Sequence, residues 1–130
     1  MSPQVTTKVT WECIHLANNP EGRTEIEVCK QRGFSAFVID TTTVETKEGL
    51  LSEIQDAMSF PYSGMNWDAL IDCLRDLSWL KPKGVLLVLQ NSKALWCQPS
   101  ISGALIECWL ICAEYWGKEA VPFHLVFTWD

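Results

Sequence analysis

The run Gly84-Val85-Leu86-Leu87-Val88-Leu89-Gln90 limits the possible folds of this chain more than any other stretch. Its interior is apolar without a break. A strand with one face in water would alternate apolar and polar residues, so this one has both faces covered. Strands of that kind belong to parallel sheets flanked by helices. The segments on either side carry helical periodicity, which predicts an α/β fold with right-handed crossovers.

The remaining elements fit that class. Residues 8–16 are β-rich and predict a strand with Val9, Trp11, Cys13 and His15 toward one side. Ala17-Asn18-Asn19-Pro20-Glu21-Gly22 reads as a turn or loop. Thr24 then caps a helix over Glu25–Arg32, with acids first, bases last and Gly33 as the stop. A hairpin through Ile26-Glu27-Val28 fits the same residues. Phe34–Asp40 is a second, nearly all-apolar strand expected to be covered on both faces. Thr46 caps a helix over Lys47–Met58. Ser78–Lys83 is a linker. Residues 91–99 form a loop with a turn of helix around Lys93–Cys97. Ser100 caps a long helix to about Trp116, stopped by Gly117, in which Trp109, Tyr115 and Trp116 pack. Val121–Trp129 closes the chain as a strand. The 130 residues carry no repeat or linker tract, which suits one domain.

Charge narrows the function. The net charge is −6, and residues 34–80 hold eight acids against two bases, which accounts for all of it. The two flanking segments are each balanced. Direct binding to nucleic acid needs a basic footprint, so a basic protein or a cationic ligand is the expected partner. No apolar run approaches the roughly 20 residues of a membrane span. The first residues lack the basic start and apolar core of a secretion signal, so a cytosolic location is expected. The six cysteines have no Cys-x-x-Cys spacing and are expected to be buried, reduced thiols without zinc. His15 and His124, each alone on its strand, are expected to be packed or surface residues rather than catalysts.

The acids concentrate in one helix. Pro61 and Gly64 mark a tight turn, and Asn66 caps a helix over 66–77. Leu70, Cys73, Leu74 and Leu77 form its apolar stripe. Asp68, Asp72 and Asp76 follow each other at four-residue spacing on another face. Like charges so placed repel by roughly 0.2–0.5 kcal/mol per pair. The helix dipole offsets this for Asp68 at the N-terminus only. A ridge with that cost points to a docking surface.

The stretch Phe60-Pro61-Tyr62-Ser63-Gly64-Met65-Asn66-Trp67-Asp68-Ala69-Leu70-Ile71-Asp72-Cys73-Leu74 resembles the barstar family, intracellular proteinaceous inhibitors of secreted ribonucleases. The resemblance covers about residues 34–130. It implies a small parallel sheet of three or four strands flanked by helices, with residues 1–33 as an N-terminal extension adding an edge strand and helix. It also implies that the second helix of the 34–130 core and its preceding loop plug the active site of a basic ribonuclease or nuclease-like toxin. Asp72 would be the central phosphate mimic and Asp68 its companion, with Tyr62 and Trp67 supplying aromatic contacts. Asn66, Ile71, Arg75 and Asp76 complete the expected partner-binding set. This chain departs from the best-known member in a turn one residue shorter before Gly64. It also has Ile71 in place of a tryptophan and Arg75 in place of a small hydroxyl residue. Arg75 is expected to pair with Asp72 or Asp76, and Glu114 is the candidate for an acid on the late helix.

The expected function is therefore an inhibitor or immunity protein in a toxin–antitoxin relationship, monomeric when free, without catalytic residues, metal or cofactor. Two alternatives stand beside it. One is a barstar-like interaction or regulatory domain with a non-nuclease partner. The other is an enzyme using Asp68 and Asp72, which would need one raised pKa and a neighbouring nucleophile or histidine.

Overall fold

The computed structural model describes residues 5–61 and 64–130. Four strands, β1 (Ile14–Ala17), β2 (Ser35–Asp40), β3 (Val85–Gln90) and β4 (Phe123–Thr128), form one sheet in the order β1-β4-β3-β2. All neighbours are parallel. The connections are α1 (Asn19–Gln31), then α2 (Lys47–Ala57) with α3 (Trp67–Asp76), then α4 (Lys93–Trp96) with α5 (Pro99–Lys118). The expected α/β class and element order are present, including the fourth strand.

The sheet separates two cores. One packs α2, α3 and α5 through Leu50, Ile54, Leu70, Leu74, Leu105 and Trp109 onto Val85, Leu87, Leu89, Leu125 and Phe127. The other packs Ile26 and Cys29 of α1 onto Leu86, Val88 and Val126. Successive residues of a strand point to opposite faces, which is why the unbroken run at β3 serves both layers. β2 does so only in part. It lies at the sheet edge, and Val38 is 47% exposed.

The N-terminal expectations need three corrections. Only residues 14–17 form the first strand, although the ladder extends to Cys13, whose carbonyl accepts from Leu125 N–H at 2.9 Å. Before it, the Thr10 hydroxyl accepts from Glu12 N–H at 3.2 Å, a local bond that competes with strand pairing. Val9 and Trp11 are exposed there, Trp11 by 85%. The supposed loop at 17–22 is the last residue of β1 followed by the start of α1. Asn18 is its N-cap, Glu21 closes a capping box, and Pro20 occupies the first turn, where its missing N–H costs nothing. Gly22 belongs inside that helix because a Cβ there would meet Thr128 Cγ2 at 2.7 Å. The hairpin alternative is therefore excluded, while Gly33 stops the helix at φ +76° as expected.

Further along, Thr46 and Asn66 cap α2 and α3 as expected. Ser100 does not cap α5. The helix opens at Pro99 behind Gln98 and continues past Gly117 to Lys118. Five of the six cysteines are buried and Cys97 is exposed, and all six are free thiols. His15 and His124 are not separate. Parallel pairing of β1 with β4 brings His15 Nε2 to 2.9 Å from His124 Nδ1. The rings stack, with centroids 5.1 Å apart.

Candidate functional site

The acidic ridge stands where its helix is gripped from behind. The carbonyls of Trp67, Ile71 and Leu74 form a row along α3 that faces α5. The Cys108 thiol donates to the first at 3.9 Å and the Cys112 thiol to the second at 3.7 Å. Trp116 Nε1–H donates to the third at 2.7 Å. Burial pushes the Cys112 thiol up to about 12 and raises that of Cys108, so both sulfurs keep the proton they donate. Leu70, Cys73, Leu74 and Leu77 are all buried, as the apolar stripe requires.

The N-terminal end is fixed separately. Asn66 Oδ1 accepts from Ala69 N–H at 2.7 Å, so its side chain is committed to the cap. Gln55 Nε2 of α2 donates to the Gly64 carbonyl at 2.8 Å and ties the preceding loop down. Gly64 is required by close approach, since a Cβ there would sit 2.6 Å from Ala69 Cβ. At the other end Leu77 adopts the left-handed conformation, φ 42°, which ends α3.

With the back of α3 packed, Asp68, Asp72 and Asp76 project into solvent as exposed side chains. No basic group among the described residues lies within ion-pair distance of the three. Arg75 does not pair with Asp72 or Asp76 as expected. Its guanidinium lies 5.6 Å from the centroid of the Tyr115 ring on α5. Trp67 and Ile71 are partly buried against the core. Tyr62 lies outside the described residues, so its expected contact role has no geometry here.

Between α3 and α5 runs a groove of about 250 Å³ lined by Trp67, Asp68, Ile71, Ala104, Glu107, Cys108 and Ile111. Its walls are apolar, with carboxylates at Asp68 and Glu107. Glu107 was not found in the sequence. Glu114, the expected acid of the late helix, instead lies 4.0 Å from Lys118. The signal for Glu107 was its place directly before Cys108, one of the core positions of α5 that face α3. That inference requires knowing which two helices pack together.

The chemistry of this face is anionic: three exposed carboxylates on one helix, a fourth across a groove, and apolar contacts between. No histidine or hydroxyl nucleophile lines the groove. Among the described residues no group of three His, Cys, Asp or Glu side chains could hold a metal ion. None of the described helices is long and apolar enough to cross a membrane.

No curated protein and no solved structure matches the chain. Residues 34–128 match the family model described as Barstar (barnase inhibitor). That span takes in β2 to β4 and every element of the acidic face, and the chain belongs to the barstar family.

Proposed function

We propose that this protein is an inhibitor or immunity protein that occupies the active site of a basic ribonuclease or nuclease-like toxin. The docking surface is α3, the loop before it and the groove shared with α5. The unneutralised row Asp68, Asp72 and Asp76 carries this reading, together with membership in a family of barnase inhibitors. Carboxylates so arranged take the place of RNA phosphates against the arginine, lysine and histidine side chains of such an enzyme. Asp72 is the centre, Asp68 precedes it by four residues on the same helix, Glu107 shares the groove with Asp68, and Trp67 and Ile71 supply the dry contacts that exclude water. Tyr62 and Asn66 belong to the loop side of the surface, and Arg75 to its rim. The protein works by binding rather than by catalysis, in the cytoplasm, as a monomer when free. Residues 1–33 form one domain with the 34–130 core.

Calorimetric titration against small basic ribonucleases tests this. Binding is expected to weaken as salt is raised, and Asp72→Ala is expected to weaken it by a factor of about 30 or more, as for a central contact. Binding that ignores both changes rules the reading out.

A second reading has one observation in its favour. Ile71, between the two central acids, is partly buried against α5 and offers no aromatic anchor. A barstar-like interaction domain with a non-nuclease partner would have this composition. Affinity capture that returns such a partner, with binding lost in Asp72→Ala, would select it.

A further inference from the structure

Arg75 is an odd cation to find on an acidic face. It follows Asp72 by three residues and adjoins Asp76, and a side chain serving only to quiet their repulsion would lie along the ridge. It turns the other way, onto Tyr115. Among the described residues no carboxylate lies within ion-pair distance of it. Arg75, Ile111, Glu114, Tyr115 and Lys118 together line an open groove of about 250 Å³ beside the ridge. Glu114 is drawn to Lys118, 4.0 Å away, and both side chains are 76% exposed. Two cations and one anion leave this groove one unit positive, next to the most acidic surface of the chain.

We propose that this groove is a carboxylate-accepting subsite that takes an aspartate or glutamate side chain of the partner nuclease on Arg75. The inference rests on the docking reading given above. A basic partner brought onto the ridge would be repelled by a bare arginine at its rim. The repulsion becomes attraction where the partner presents an acid at that point. A guanidinium matches a carboxylate through two parallel N–H···O bonds, which a lysine cannot reproduce. The Tyr115 ring holds the guanidinium in place before contact, so less freedom is lost on binding. The ridge then supplies general attraction to basic enzymes, and Arg75 selects among them by penalising those with a neutral or basic residue opposite.

The test is calorimetry with a panel of small basic ribonucleases and the full-length protein, comparing wild type with Arg75→Ala, Arg75→Lys, Tyr115→Leu and Asp72→Ala. For the nuclease bound most tightly, Arg75→Ala is expected to weaken binding about ten- to a hundredfold, the range for a charge-assisted pair. Arg75→Lys recovers only part of this, and Tyr115→Leu gives a smaller loss. Changing the facing nuclease acid to its amide erases the difference between wild type and Arg75→Ala. The subsite is overturned if Arg75→Ala leaves binding unchanged or tightens it, or if its effect persists once the nuclease acid is gone. Such an outcome with Asp72→Ala still disruptive removes the subsite alone. Absence of binding by every nuclease, or indifference to Asp72→Ala, removes the docking reading and the subsite with it.

Discussion

His15 and His124 form a linked pair whose protons are assigned by their neighbours. His124 Nε2 faces the Lys8 carbonyl at 2.8 Å, and a carbonyl only accepts, so this nitrogen carries the hydrogen. Nδ1 of the neutral ring is then an acceptor, and His15 Nε2–H donates to it. A proton added at His124 Nδ1 would reverse this bond and require His15 to move its own hydrogen to Nδ1. Burial is the main force holding both rings neutral, and with the neighbouring ring it lowers His15 to about 4. In the unfolded chain they titrate near 6.5. The unfolded state therefore binds more protons between those values, and stability falls as pH drops from 6.5 towards 4. His15→Gln keeps a donor toward His124 and removes one titration. Its unfolding free energy is expected to fall less over that window than that of wild type, by a difference on the order of 1–2 kcal/mol after allowance for partial solvation. Parallel slopes in the two proteins would contradict this. Each histidine could be read from the sequence as a packed or surface residue, but their contact could not. It depends on β1 and β4, from opposite ends of the chain, being neighbours in the sheet.

Elements with strong local signals were the legible ones. β3 declared itself by an unbroken apolar run, and α3 by a cap, a stripe and a charged face that all agreed. The beginning of α1 was misleading because Asn-Pro and Gly mean turn in one context and cap, first turn and close packing in another. Only the approach of Thr128 to Gly22 distinguishes them. The acidic half of the proposed docking face was likewise visible, whereas Glu107 and the Arg75–Tyr115 contact required the α3–α5 packing to be known. That packing makes its own prediction. Trp116→Phe preserves most of the buried ring but leaves the Leu74 carbonyl without its indole donor. A stability loss of about 1 kcal/mol is expected from chemical denaturation. Gly64→Ala acts differently: it pushes the loop from Ala69 and should weaken partner binding more than it lowers stability. An equal effect on both would mean that the loop is not part of the docking face.

Across the whole molecule, the charge imbalance extends beyond the proposed docking face. Asp40, Glu45, Glu48, Glu53 and Asp56 carry more than half the acids of residues 34–80 without lying on α3. Their field adds to that of the ridge and, under the proposed function, would draw a basic partner from a distance. Neutralising Glu53 and Asp56 together, as Glu53→Gln with Asp56→Asn, is expected to slow association about two- to threefold at low salt and to leave dissociation unchanged, the pattern of remote charges. Stopped-flow kinetics separates the two rates, and a change confined to dissociation would show direct contact instead. The sheet gives this arrangement a practical side. Since α1 occupies one face and α2, α3 and α5 the other, the four parallel strands form a partition, with handling possible on one side and the proposed recognition on the other. A dye or surface linker placed at Arg23 or Lys30 on α1 would hold the molecule by its back, leaving the acidic helix open to whatever approaches.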